Sequence, residues 1–167
     1  MRITRTTAAA AAGAAALLLS LAGPAGAAPA DVAADAPGGG GWHRVGLDGE
    51  QEVPGPGDPD GNGVFRYEIK KDRLCYRLSV ADIDPPTAAH LHFGPAGETG
   101  PVAVVLRTPG EDGTSGGCIR ARADQTPENA AEVLTRWELR GIEQDPFFFY
   151  VNVHNEEFPD GAVRGQL

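Results

Sequence analysis

From residue 42 onward the chain is built of short runs in which apolar and polar positions alternate. Phe65, Tyr67 and Ile69 alternate with Arg66, Glu68 and Lys70, and Leu74, Tyr76, Leu78 and Val80 alternate with Cys75, Arg77 and Ser79. A period of two sends each set to its own face of an extended strand. Lys71-Asp72 has the length of a tight turn, so the two runs predict a β-hairpin. Further strands are predicted at 43–48, 88–93, 101–107, 117–122, 147–154 and 162–167, separated by Gly- and Pro-rich stretches. One segment departs from this period. Thr126-Pro127-Glu128 offers an N-cap, a proline at N1 and an acid in the first turn, and Ala130, Ala131, Val133, Leu134 and Trp137 follow at helical spacing. A short helix at about 127–136 is predicted, crossing from one sheet to the other. The expected fold is all-β, a Greek-key-like β-sandwich with one short crossover helix.

The N-terminus follows a different rule. Arg2 and Arg5 precede an almost unbroken Ala and Leu run from Ala8 to Ala22, then Gly23-Pro24 and the small residues Ala25-Gly26-Ala27. That order predicts a secretory signal peptide at 1–27. The apolar run is shorter than the ~20 residues a bilayer span needs and no charged cluster follows it, so no membrane span is expected after cleavage. Residues 28–41, rich in Ala, Pro, Asp and Gly, predict a flexible tether. Residues 42–167 then form one domain, long enough for a single core.

Charge and cysteine usage narrow the setting. Cleavage after Ala27 leaves 12 basic against 23 acidic side chains, a formal charge of −11. Such a surface repels phosphate backbones and anionic head groups, which argues against nucleic-acid and membrane partners. In an exported chain the pair Cys75 and Cys118 predicts a disulfide, since neither has a Cys or His close by in sequence to share a metal. In the chain-entropy picture that link is worth roughly 4 kcal/mol.

Three of the four histidines fall in two predicted strands. His90 and His92, in HLHFG at 90–94, share a face with Leu91 opposite, while His154 shares one with Phe148, Tyr150 and Asn152. Should the two strands be neighbours, three imidazoles converge, a donor set suited to copper or zinc and unsuited to calcium. The competing reading is a hydrogen-bonded histidine cluster with no metal. His43 is expected at the surface. The stretch DPDGNG at 58–63 has alternating oxygen donors but lacks the closing Glu of a calcium loop, since Ile69 stands there, so a solvated turn is expected. Ser79 and Ser115 lack a nucleophile-elbow context, and no Gly-rich loop leads into a helix. Nucleophilic and phosphoryl-transfer chemistry are therefore not expected.

Five pieces taken in order resemble the chordin-type (CHRD) domain: LDGEQEVP at 47–54, LCYRLSV at 74–80, His90-x-His92-x-Gly94, Gly100-Pro101-Val102, and YVNVHNEEFPDGAVRGQL at 150–167. The resemblance implies an extracellular β-sandwich and no settled activity. A weaker similarity, to copper/zinc superoxide dismutase, rests on the His-x-His strand followed by Phe-Gly, a further His near the C-terminus, and an arginine, Arg164, in the place of an anion guide. No histidine lies between 92 and 154, so the bridging imidazolate and zinc-site histidines of that enzyme have no counterpart. The sandwich expected is of the immunoglobulin or superoxide-dismutase kind. Three functions follow as expectations: a secreted, monomeric binding protein with a copper or zinc site at His90, His92 and His154; a purely structural or partner-binding extracellular module; and a copper-dependent dismutase-like enzyme. Enzyme activity is the least expected of these, and the physiological partner is unknown. Asn152 and Arg164 are placed beside the histidines as supporting or anion-binding groups.

Overall fold

The computed structural model describes residues 41–167. The expectations for 1–27 and, apart from Gly41, for 28–41 lie outside the described residues. The fold is all-β with a single short α-helix. In chain order the strands are β1 (His43–Asp48), β2 (Asn62–Lys70), β3 (Arg73–Ala81), β4 (Ala88–Phe93), β5 (Val102–Val105), β6 (Thr114–Arg120), β7 (Phe149–His154) and β8 (Val163–Gln166). Helix α1 (Arg136–Gln144) and a 3-10 turn at Pro146–Phe148 lie between β6 and β7.

The predicted hairpin is β2–β3, paired from Lys70↔Arg73 to Asn62↔Ala81, with Lys71 at φ 59° as a two-residue turn requires. All eight strands pair antiparallel in the order β5-β4-β7-β8-β1-β2-β3-β6. The sandwich is thus one continuous sheet. Its halves, β5-β4-β7-β8 and β1-β2-β3-β6, join at a narrow seam where β1 meets β8 through Asp48↔Arg164. Both halves contribute to one apolar cluster, with Phe65, Leu74, Leu78 and Tyr76 from one and Leu91, Val151, Val153 and Val163 from the other. At ~25 cal/mol per Å² of apolar surface, this shared burial is what holds a curled sheet closed.

The helix is displaced from its predicted place. Residues 127–132 form turns, and α1 starts only after Thr135. Thr126-Pro127-Glu128-Asn129 does open a turn, with the Thr126 N–H donating to Asn129 Oδ1 at 2.7 Å. Gln125 then ends it by donating from Nε2 to the carbonyls of Ala130 and Val133. Val105 N–H donates to the Ala131 carbonyl at 2.7 Å, which ties this segment to β5. The stronger start signal is Thr135-x-x-Glu138, a reciprocal capping box: Glu138 N–H donates to Thr135 Oγ1 and Thr135 N–H to the Glu138 carboxylate. Leu139 and Ile142 anchor the helix in the core, while Trp137, expected on the apolar side, is 66 % exposed. The crossover role stands, since α1 lies on the path from β6 at one edge to β7 in the other half.

Cys75 and Cys118 face each other across β3 and β6 and are joined in a disulfide. Among the described residues no helix is long and apolar enough to cross a membrane.

Candidate metal centre

Strands β4 and β7 are neighbours, and their register places the histidines. Ala88 pairs with His154, His90 with Asn152, and His92 with Tyr150; on the far side of β7, Asn152 pairs with Arg164 and Tyr150 with Gln166. With the period of two, these polar residues form one ladder on the outer face, while Leu91, Val151, Val153 and Val163 line the core behind it. The ladder is outer but not exposed. Asn152 is 3 % exposed, His92 8 % and Arg164 1 %.

The three imidazoles converge, with one ligand atom from each lying within 4.8 Å of the others. Among the described residues this is the one grouping of three or more His, Cys, Asp or Glu side chains close enough to hold an ion. His90 Nδ1 is 3.0 Å from His154 Nε2. Backbone carbonyls fix two of the tautomers. His92 Nδ1–H donates to Gly100 O at 2.9 Å, and His154 Nδ1–H donates to Pro159 O at 3.0 Å. Each of these rings is left with a bare Nε2 facing the others. That of His92 is buried and has no hydrogen-bond partner among the described residues. His154 Nε2 meets the Asn152 side-chain amide at 3.1 Å, and the fixed tautomer calls for the amide NH₂ on that side.

The supporting residues explain the geometry. The His92 ring stacks on Tyr150 at 4.6 Å, and the Arg164 guanidinium lies 3.5 Å from the centre of that ring. Gly100 N–H donates to the Tyr150 hydroxyl, so Gly100 serves both the stacked ring and His92. A side chain at Gly100 would overlap the Phe93 carbonyl, which accounts for glycine there. Arg164 donates to the carbonyls of Glu98 and Pro95 and to Gln166 Oε1, each at 3.0–3.2 Å. It clamps the loop between β4 and β5 over the sheet. Gln166 strengthens the clamp by donating to the carbonyls of Gly94, Phe147 and Phe149.

Burial sets the charge state of the rings. It lowers His90 to about 4, helped by the neighbouring His154 and His92, and it lowers His92 and His154 as well. The centre is therefore neutral at pH 7, the state in which imidazole donates a lone pair. The same burial raises Glu52 to about 7, against the opposing pull of Arg164.

Two features escaped the sequence reading. Tyr150 was placed on the histidine face without a role. Glu52 sits inside the LDGEQEVP piece, but nothing in the local pattern separates it from Glu50, and it is buried only by loop packing. The DPDGNG stretch is a turn held by Asp58, whose Oδ1 accepts from the N–H groups of Asp60 and Gly61. His43 stacks on Tyr67 at 4.8 Å at the start of β1.

Among curated proteins and solved structures, none matches the chain. The family model for the CHRD domain matches residues 44–167, nearly all of the described fold. The chain belongs to the CHRD domain family.

Proposed function

We propose that this is a secreted binding protein that captures a divalent copper or zinc ion with His90, His92 and His154. The observation that carries this reading is the pair of carbonyl-fixed tautomers, which leave the bare Nε2 atoms of His92 and His154 pointing into one shared space. A buried imidazole nitrogen without a donor is costly unless something binds it. Nitrogen ligands at 2.0–2.1 Å around a tetrahedral ion stand roughly 3.3 Å apart. The His90–His154 separation of 3.0 Å is close to that value, and the three ligand atoms all lie within 4.8 Å of one another. Metal-free His90 Nδ1–H donates to His154 Nε2. With its proton moved to Nε2, His90 would offer Nδ1 to an ion beside the Nε2 atoms of His92 and His154. Carbonyl contacts behind ligating histidines are the arrangement that orients them for metal.

The setting agrees with export. Residues 1–27 read as a signal peptide, the disulfide suits an oxidising compartment, and the family is one of extracellular modules. Capture or buffering of the ion outside the cell fits the neutral, buried donors and the acidic surface. One trio of imidazoles with no bridging histidine favours holding an ion over dismutase turnover.

A partner-binding reading has its own observation. Phe93, Trp137, Phe147 and Phe148 are exposed and in mutual contact, with ring centres 4.2–6.2 Å apart. Contiguous exposed aromatics are the kind of surface that binds other molecules.

Elemental mass spectrometry on untagged, oxidised protein tests the metal. The expected result is about one copper or zinc per chain, lost in His90→Ala/His92→Ala with the circular dichroism unchanged. A wild type that takes up neither ion would leave the histidines structural and the module a partner binder.

A further inference from the structure

Helix α1 and the turn after it present two features to solvent that have no use within one chain. The first is apolar. Trp137 is 66 % exposed, Phe147 53 %, Phe148 39 % and Phe93 37 %. Their rings touch in order from Trp137 through Phe93 and Phe148 to Phe147, which makes one continuous surface. Single exposed apolar side chains are ordinary, whereas a contiguous patch marks an interface.

The second feature is charge. An isolated helix favours acids at its amide end and bases at its carbonyl end. Helix α1 carries largely the reverse. Arg136 opens it and Arg140 follows one turn on, while Glu143 and Asp145 stand at its C-terminal end, with no base in the last turn. The one acid of the first turn, Glu138, is held in the capping box. Arg136, Arg140, Glu143 and Asp145 are all exposed, and none of them belongs to an ion pair among the described residues. The order is unfavourable to the helix alone, and no ion pair within the described fold offsets it.

We infer that α1 and the aromatic patch form the contact through which two copies of this chain pair about a two-fold axis. The inference rests on the partner-binding reading of the aromatic surface and names the partner. A two-fold contact uses the same patch on both copies, so the patch must complement itself. A second α1 laid antiparallel meets that condition. Arg140 then faces Glu143 of the second copy, Arg136 faces its Asp145, and symmetry makes each pair twice. The two helix dipoles also oppose each other, which is favourable. In the same register Trp137 lies over Phe147 of the second copy. The aromatic patches cover one another, with the charged side chains as a polar rim. Phe93 alternates with His92 along β4, so the patch belongs to the opposite face of that strand from the imidazoles. Pairing therefore leaves the imidazole centre open.

Sedimentation equilibrium on untagged, oxidised protein tests the pairing. At micromolar concentration the mass should be that of two chains, falling to one on dilution. Trp137→Ala, at a side chain outside the core, should weaken the dimer by about tenfold or more with circular dichroism unchanged. Arg140→Glu and Glu143→Arg should each weaken it as well, because each change acts at both symmetric contacts. Arg140→Glu/Glu143→Arg, which exchanges the two charges within one chain, should restore most of the lost affinity. That restoration distinguishes a copy-to-copy contact from a role within the helix. A single-chain mass at every concentration would overturn the pairing, and the aromatic surface would then be left for a different molecule. A dimer indifferent to Trp137→Ala and to both charge reversals would also overturn it, and would count against the partner-binding reading of that surface as well.

Discussion

The outward face of β2 and β3 carries Arg66, Lys70, Arg73 and Arg77, and that of β7 and β8 carries Tyr150, Asn152 and Arg164. The first set projects into solvent. The second is 1–3 % exposed, because the turn after β1 and the loops following β4 and β7 fold back over it. Both halves of the sheet share one core and one alternating pattern, yet one outer face is simple solvation and the other a second, polar interior. Polar residues in water need no explanation, whereas buried ones must be hydrogen-bonded or bound to something. In the roofed half the ladder accounts for nearly all its donors and acceptors, and among the few atoms left without a partner, His92 Nε2 is the one that faces the other two imidazoles.

The largest expected difference between the halves is at arginine. Arg164→Met leaves the Pro95 and Glu98 carbonyls and Gln166 Oε1 without their donor, and Glu52 without its neighbouring cation. A loss of about 3–5 kcal/mol in chemical denaturation is expected. Arg66→Met on the open face should change stability by less than about 0.5 kcal/mol. Equal effects at the two positions would break the comparison.

Next comes the disulfide, which lies wholly in the open half between β3 and β6. Replacing both Cys75 and Cys118 by Ala should cost about 2–4 kcal/mol while leaving metal stoichiometry unchanged, since the histidines stand in the other half. Loss of metal uptake in a still-folded variant would show that the halves are not independent.

A smaller effect sharpens the role of burial at Glu52. Folded Glu52 is raised to about 7 from an ordinary value of 4.5, so between those values the native state holds a proton that the unfolded chain has released. Its contribution to stability is therefore full below pH 4.5 and is lost as pH rises through 7. In buffer free of divalent cations, wild type should lose on the order of 2 kcal/mol relative to Glu52→Gln across that window. Parallel pH profiles for the two proteins would show that Glu52 is solvated.

Much of this contrast was legible in residue order, and some was not. Strict alternation in 65–70 and 74–80 assigned the hairpin and its inward face, because a half-exposed strand writes its orientation into every second residue. The same rule put His90 with His92, and His154 with Asn152, on common faces. That the two strands are neighbours is a long-range pairing that no local pattern encodes, and it entered only as a condition. The helix was misplaced because two threonine start signals lie nine residues apart. Gln125 and the tie to β5 decided against the first, and the Thr135–Glu138 box decided for the second. The alternation of β8 put Arg164 on a face with Ala162 and Gln166, but not under a loop. Glu52 could not be found at all, because its burial depends on residues 157–161, more than 100 positions away.

Under the proposed function, three imidazoles of the roofed face close on one ion. X-ray absorption at the zinc edge of protein loaded with one equivalent of zinc tests it most directly. About three imidazole nitrogens at roughly 2.0–2.1 Å with one further light ligand are expected, falling to two in His154→Ala. A shell dominated by oxygen, or one unchanged by His154→Ala, would contradict it.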